Sequence, residues 1–266
     1  NDYSYASAIG NTGQVVGWSH VPSPNDWHAF IWDSTNGMQD LGPPDVYFSE
    51  AHGINDLGVV VGRARIVDVG DVAVLWDEQG MTELGALPAV LSESEARNVN
   101  NLGQVVGVSL YDNEECYSCL TAFLWEAGEM TDLGRFVCQD CVSSEANAIN
   151  DAGQIVGDAW VAWSTPHACM WRDGAMIDLN DVIPSGSGWT LVSATGISED
   201  GRIVGYGYVG EDMFDYRAFL LTPVNLVPTT SEWGVVTMAL VLLGAGTIVL
   251  GRRPVRDPRL AARNGI

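Results

Sequence analysis

Apolar residues in this chain fall in short β-branched or aromatic runs punctuated by Gly, Asn and Asp, and the runs repeat. "AIGNTGQVVGWS" (8–19), "GINDLGVVVGRA" (53–64), "NVNNLGQVVGVS" (98–109), "AINDAGQIVGDA" (148–159) and "GISEDGRIVGYG" (196–207) are one pattern written five times. Their first aligned glycines, Gly13, Gly58, Gly103, Gly153 and Gly201, are spaced by 45, 45, 50 and 48 residues. A second run follows each time: "HAFIW", "VAVLW", "TAFLW", "HACMW" and "RAFLL". In the first four repeats "GMQDLG", "GMTELG", "EMTDLG" or "AMIDLN" comes next.

Each segment predicts an element. Asn55-Asp56-Leu57-Gly58 lies between two β-branched runs and fits a type I turn whose glycine takes the positive-φ position of a G1 bulge. The run after it, as in Gln104-Val105-Val106-Gly107, suits a strand buried on both faces. The recurrent Gly17, Gly62, Gly107, Gly157 and Gly205 point to close backbone approach or a bend. A second hairpin joins the aromatic run to the "MxDLG" run, giving four short strands per repeat. Four antiparallel strands every 45–50 residues predict an all-β chain, a β-propeller of four-stranded blades with about five visible repeats. The fifth repeat lacks a fourth strand. Residues 1–7 could close the ring, or further sequence could add blades.

The triplet His28-Ala29-Phe30, with "GQVVGWS" before it and tryptophan and "MQDLG" after it, resembles the HAF family of extracellular repeats over about residues 6–222. The other repeats keep only the alanine of the triplet. The resemblance implies secretion or surface display and transfers no catalytic residue.

Charge sharpens this picture. Residues 1–226 hold 32 of the 34 acids and seven arginines, a balance of −25, and the chain has no lysine. Such a field repels phosphate backbones and excludes nucleic acid as a partner of the main body, while favouring cations or basic partners.

Most candidate chemistry reads as architecture. Asp56, Asp151 and Asp200 suit turns through local side-chain bonds. Asp40, Glu83, Asp132 and Asp178 recur once per repeat, whereas a catalytic acid is needed once per protein. His28 and His167 share a repeat position and read as hydrogen-bonding groups between blades; His20 and His52 do not recur, and no metal-binding or nucleophile motif is present. Trp32, Trp76, Trp125 and Trp171 read as core, while Trp160, Trp163 and Trp189 fall outside that register and could stack on sugars. The pairs Cys116/Cys119 and Cys138/Cys141 have zinc-ribbon spacing, but an exported chain favours disulfides, with connectivity open. They are placed in links that emerge on one face. Cys169 reads as a buried, inert thiol. No cofactor is expected.

The chain then changes character. Residues 234–251, "GVVTMALVLLGAGTIVLG", are uncharged and as a helix would span about 27 Å, enough to cross a bilayer. Arg252 and Arg253 open a basic tail, 252–266, that sets the repeats outside the cytoplasm by the positive-inside rule. Residues 223–233 are a linker. Val227-Pro228-Thr229-Thr230 followed by Ser231-Glu232-Trp233-Gly234, an apolar run and arginines resembles the IPTL-CTERM class of bacterial sorting signals. That resemblance implies a Gram-negative exported protein, with the membrane and a processing enzyme as partners.

The expectation is therefore a non-enzymatic, membrane-anchored or surface-sorted β-propeller (1–222), acting as a structural or recognition module at the cell envelope, with surface glycans or cations as ligands. The alternative is an extracellular glycan-acting enzyme, which requires non-recurrent carboxylates converging in one pocket.

Overall fold

The computed structural model describes residues 3–21, 27–43, 46–88, 93–113, 116–135, 143–160, 165–210, 212–223 and 238–242. Its strands form five four-stranded antiparallel sheets, each a meander in chain order. The first sheet holds β1 (Ser4–Ile9), β2 (Val15–His20), β3 (Trp27–Asp33) and β4 (Gly37–Asp40). The second holds β5 (Ser49–Ile54), β6 (Val60–Ile66), β7 (Gly70–Asp77) and β8 (Gly80–Gly85). In the third are β9 (Ser94–Val99), β10 (Val105–Asn113), β11 (Cys116–Glu126) and β12 (Glu129–Asp132), and in the fourth β13 (Ser144–Ile149), β14 (Ile155–Trp160), β15 (Pro166–Arg172) and β16 (Ala175–Asp178). The fifth holds β17 (Trp189–Ile197), β18 (Ile203–Val209), β19 (Arg217–Pro223) and β20 (Met238–Leu242).

The two recurrent glycines do different work. At the turn, Gly58, Gly103 and Gly153 take φ of 80°, 79° and 73°, and each donates its N–H to the residue three positions back. At the strand, the first strand bulges and drives a carbonyl over the glycine Cα: a Cβ on Gly62, Gly107 or Gly157 would lie within 2.0 Å of the oxygen of Glu50, Glu95 or Glu145. Both predicted roles hold.

Sheets stack face to face, first strand against first strand, and an apolar core fills each junction. Val16 and Ala29 of the first sheet meet Trp76 and Val74 of the second; Val61 and Ala73 meet Phe123 of the third; Val106 and Ala122 meet Trp171 of the fourth; Val156 and Ala168 meet Leu221 and Phe219 of the fifth. The constant alanine, buried at positions 29, 73, 122 and 168, is thus where the next sheet presses closest.

Serines clasp three of the junctions. The N–H groups of Ala29, Ala73 and Ala122 donate to the Oγ of Ser49, Ser94 and Ser144 on the next sheet, at 2.9, 2.8 and 2.9 Å. Ser94 and Ser144 also donate to the carbonyls of Gly85 and Gly134. At the last junction Val192 holds the serine position and Asn180 bridges instead, accepting from Leu191 N–H and donating to Leu191 O. The "DLN" departure from "DLG" is therefore a replacement clasp.

Turn side chains form a second ladder. The amides of Asn55, Asn100 and Asn150 donate to the carbonyls of Asn100, Asn150 and Ser198, each one repeat onward. Asp56 N–H donates to Asn101, Asn101 N–H to Asp151, and Asp151 N–H to Glu199. The carboxylates of Asp56 and Asp151, expected to bond within their own turns, instead accept from neighbouring repeats, and Asp200 alone bonds locally, to Ser198 and Arg202. Glu199, not Asp200, is the fifth member of that series, because the turn bond runs from Gly201 N–H to Ser198 O.

Two expectations change. β1 does not close a ring; it is the first strand of its own meander, paired with β2. The missing fourth strand of the fifth repeat is β20, paired with β19 from Pro223↔Met238 to Phe219↔Leu242. It lies inside the run 234–251 that was expected to form a membrane-crossing helix. An open sheet edge with unpaired backbone groups can be satisfied by an apolar segment as well as a helix can satisfy itself. Among the described residues no helix is long and apolar enough to cross a membrane. The sorting motif Val227 to Gly234, Arg252 and Arg253 lie outside the described residues.

Candidate functional site

The cross-strand pair beside the strand glycine is where the repeats diverge. It is Tyr5 opposite Trp18, then Glu50 opposite Arg63, Glu95 opposite Val108, Glu145 opposite Asp158, and Ser193 opposite Tyr206. In the first sheet the two rings stack, with centroids 5.8 Å apart. In the second, Arg63 and Glu50 form an ion pair at 2.8 Å. In the fourth, two carboxylates stand directly opposite each other, an arrangement that repels unless neighbours compensate.

Neighbours on both sides do so. Arg97 on β9 donates to Glu145 at 2.7 Å and to Asn147 at 2.6 Å, and lies within 3.4 Å of Glu95. Ser193 on β17 donates to Asp158 Oδ1 at 2.6 Å, and Asn147 donates to the same atom at 3.1 Å. Burial pushes the Asp158 carboxyl above its ordinary range; the Ser193 and Asn147 hydrogen bonds and Arg97 oppose that rise, and Glu145 adds to it. Burial works against the Arg97 cation, but Glu145 and Glu95 outweigh it and hold the guanidinium charged.

These groups form the floor of an open cleft of about 510 Å³ spanning the third to fifth sheets. Trp160 and Tyr206, both partly exposed, and Pro166 supply its apolar wall; Thr195 completes its polar one. One non-recurrent acid, Asp158, and one recurrent acid, Glu145, therefore converge with two aromatic rings. The floor joins residues of three repeats, which no single repeat reveals.

The ion belt continues away from the cleft. His52 lies 3.4 Å from Glu50 and 3.1 Å from the Ala96 carbonyl, and Arg63 reaches Glu95 at 3.6 Å. Burial tends to raise the Glu50 carboxyl, yet the His52 and Arg63 hydrogen bonds and charges bring it below its ordinary value.

The remaining candidates are placed as follows. Each ring Nδ1 of His28 and His167 faces the "DLG" acid of its own sheet, Asp40 at 2.9 Å and Asp178 at 2.6 Å, and His28 Nε2 also bonds the Val46 carbonyl, in the link to the second sheet, at 3.0 Å. The first letter of "HAF" and the acid of "DLG" sit on adjacent strands, and Thr121 donates to Asp132 in the same way. Trp76 and Trp171 are buried, whereas Trp32 is 39% exposed. Trp189, expected at the surface, is buried in the last junction; Trp160 lines the cleft, and Trp163 lies outside the described residues. Cys116 and Cys119 lie within strand β11, because the β10–β11 hairpin extends its ladder to Asn113↔Cys116. Cys119 is buried and disulfide-bonded, and Cys138 and Cys141 lie outside the described residues. Cys169 is a buried free thiol whose pKa is raised by burial and by Asp158 and Asp178. Among the described residues no cluster of His, Cys, Asp or Glu is arranged to hold a metal ion.

Stacked four-stranded meanders with first strands adjacent define an all-β repeat protein resembling β-propellers. A solved structure agrees at the level of fold. The chain is similar to puromycin hydrolase, with a TM-score of 0.51 and 13% identity over 81% of this chain and 37% of that one. The β-propeller domain of the Trilobed protease from Pyrococcus furiosus aligns with a TM-score of 0.49 and 14% identity, over 78% of this chain and 60% of that domain. The chain thus spans less than two thirds of either structure. No curated protein sequence matches it. Residues 41–255 match the family described as "Protein of unknown function (DUF3466)", and the chain belongs to that family.

Proposed function

We propose that this protein is an exported, non-enzymatic recognition module whose cleft binds a polyhydroxylated ligand of the cell-surface glycan type. The observation that carries the reading is the pairing of Trp160 and Tyr206 with a hydrogen-bonding floor of Asp158, Glu145, Asn147 and Arg97. Aromatic faces take up the apolar C–H face of a sugar, and carboxylates, amide and guanidinium match its hydroxyls as acceptors and donors. Two further features support export: the acidic, lysine-free body and the disulfide at Cys119, a bond that persists in oxidising compartments.

Titration of a panel of oligosaccharides, read by tryptophan fluorescence and calorimetry, tests this. Trp160→Ala should weaken binding about tenfold, the loss of about 1.4 kcal/mol. Absence of binding by every oligosaccharide, or binding indifferent to Trp160→Ala, refutes it.

One observation favours a second reading, a glycan-acting hydrolase. Asp158, its carboxyl raised by burial, stands opposite Glu145 in the same cleft, and two carboxylates facing one cleft are what acid and base roles require. Release of reducing ends from polysaccharide, abolished by Asp158→Asn, would select this reading over simple binding.

A further inference from the structure

The hydrogen bonds of the cleft floor leave acceptors open where donors are already engaged. Arg97 turns Nη1 on Glu145 Oε2 and Asn147 Oδ1, and Nε on Glu95 Oε1. Asn147 Nδ2 donates to Asp158 Oδ1 and to the Ala194 carbonyl, and the Ser193 hydroxyl donates to the same Asp158 oxygen. These donors are spent on the protein. Among the described residues, by contrast, no group donates to Asp158 Oδ2 or to Glu145 Oε1. Asp158 is only 9% exposed and both residues line the cleft, so one open oxygen belongs to a carboxylate nine-tenths buried. A buried carboxylate short of donors is costly, and a ligand that supplies them recovers that cost.

Charge points the same way. Arg97 is the one basic residue lining the cleft, and it is shared between Glu145 and Glu95. Burial holds the Asp158 carboxyl above its ordinary range, and Arg97 offsets this only in part. The group that fits such a floor brings donors and positive charge together. A protonated primary amine is a cation with donors only, and Trp160 and Tyr206 offer ring faces that attract a cation.

We infer that the ligand of this cleft carries a free ammonium group on its hydroxylated ring, as an amino sugar does, placed between the open oxygens of Asp158 and Glu145. The inference rests on the reading that the cleft takes a polyhydroxylated ligand, and it narrows that class by charge. Acetylating the amine removes the charge and two of its N–H donors. A uronate sets a like charge against both carboxylates, and the floor rejects it.

Four tetrasaccharides separate these cases: those of glucosamine, N-acetylglucosamine, glucose and galacturonate. Each is titrated into the full chain at mildly acidic pH, where the amines are charged, and read by tryptophan fluorescence and calorimetry. The glucosamine tetramer should bind at least about tenfold more tightly than the acetylated or the glucose tetramer, with galacturonate weakest. That advantage should shrink as sodium chloride is raised, because a charged contact is screened. Asp158→Asn keeps the side-chain shape and should bring the amine-to-glucose affinity ratio close to one. If this variant fails to fold, the wild-type ratio and its decline with salt decide. Glucose binding as tightly as glucosamine, galacturonate binding best, or a ratio unchanged in a folded Asp158→Asn protein would each overturn the ammonium inference and leave the glycan reading standing. Binding by none of the four would overturn both.

Discussion

Removing the Ser144 hydroxyl should show how much one clasp contributes. Ser144 is fully buried; its Oγ accepts from Ala122 N–H at 2.9 Å and donates to Gly134 O at 2.8 Å. Ser144→Ala deletes both bonds and leaves Ala122 N–H, itself buried under the fourth sheet, without a partner. Two net hydrogen bonds at about 1 kcal/mol each, plus part of the desolvation cost of the orphaned donor, give a loss of about 2–3 kcal/mol. For an array of this size that lowers Tm by about 5–10 °C. The assay is urea and thermal unfolding followed by far-ultraviolet circular dichroism, with Ser4→Ala as control. Ser4 holds the same repeat position in the first sheet and is exposed, so its removal should change stability by less than about 0.5 kcal/mol. Equal effects at the two serines would refute the clasp. Asn180→Ala should resemble Ser144→Ala, since Asn180 makes the replacement bonds at the last junction.

Gly107→Ala should prevent folding or cost more than about 3 kcal/mol in the same unfolding assay, because its Cβ would sit 2.0 Å from the backbone oxygen of Glu95 and no side chain can yield. The His167–Asp178 pair predicts a pH window. The His167 pKa is raised by its hydrogen bond to Asp178, so its contribution is complete below the ordinary value of 6.5 and is lost as pH rises through the folded value. Burial works to raise the Asp178 carboxyl, but His167 and Asn180 hold it below the ordinary 3.8, so its contribution is present above that value and lost as pH falls through the folded one. Thermal melts should therefore peak between these limits, and His167→Gln should flatten the alkaline decline. Cys169 should resist a thiol-specific reagent in the folded protein and react on unfolding, because it is buried and its thiolate is disfavoured.

Much of the array was legible in the sequence because it depends on local rules that repeat. Turn glycines, crowded strand glycines and Asn-headed turns each have a short-range physical cause, so five copies made them plain. The long-range partners were not legible. That "HAF" histidine and "DLG" acid face each other depends on adjacent strands, and that Ser144 meets Ala122 depends on how sheets stack. Trp32 reads like Trp76 in its repeat, yet one is partly exposed and the other buried, a difference set by packing and not by the local pattern. The cleft was hidden for the opposite reason. Its distinguishing residues, Asp158 and Tyr206, are single departures at one repeat position, and only the stacking brings them to Arg97. The apolar run 234–251 shows the limit of composition alone: its hydrophobicity fits a bilayer span, and five of its residues instead complete a sheet edge.

The turn ladder also makes this molecule extendable by cut and paste. The amide of Asn55 meets a backbone carbonyl at Asn100, that of Asn100 meets one at Asn150, and that of Asn150 meets one at Ser198, so the acceptor never depends on which side chain follows. A gene that gained or lost one 45- to 50-residue unit would leave every remaining rung of this asparagine-amide series intact. The length of the array is thus free to drift between relatives, while a cleft built across three consecutive units ties their order in place.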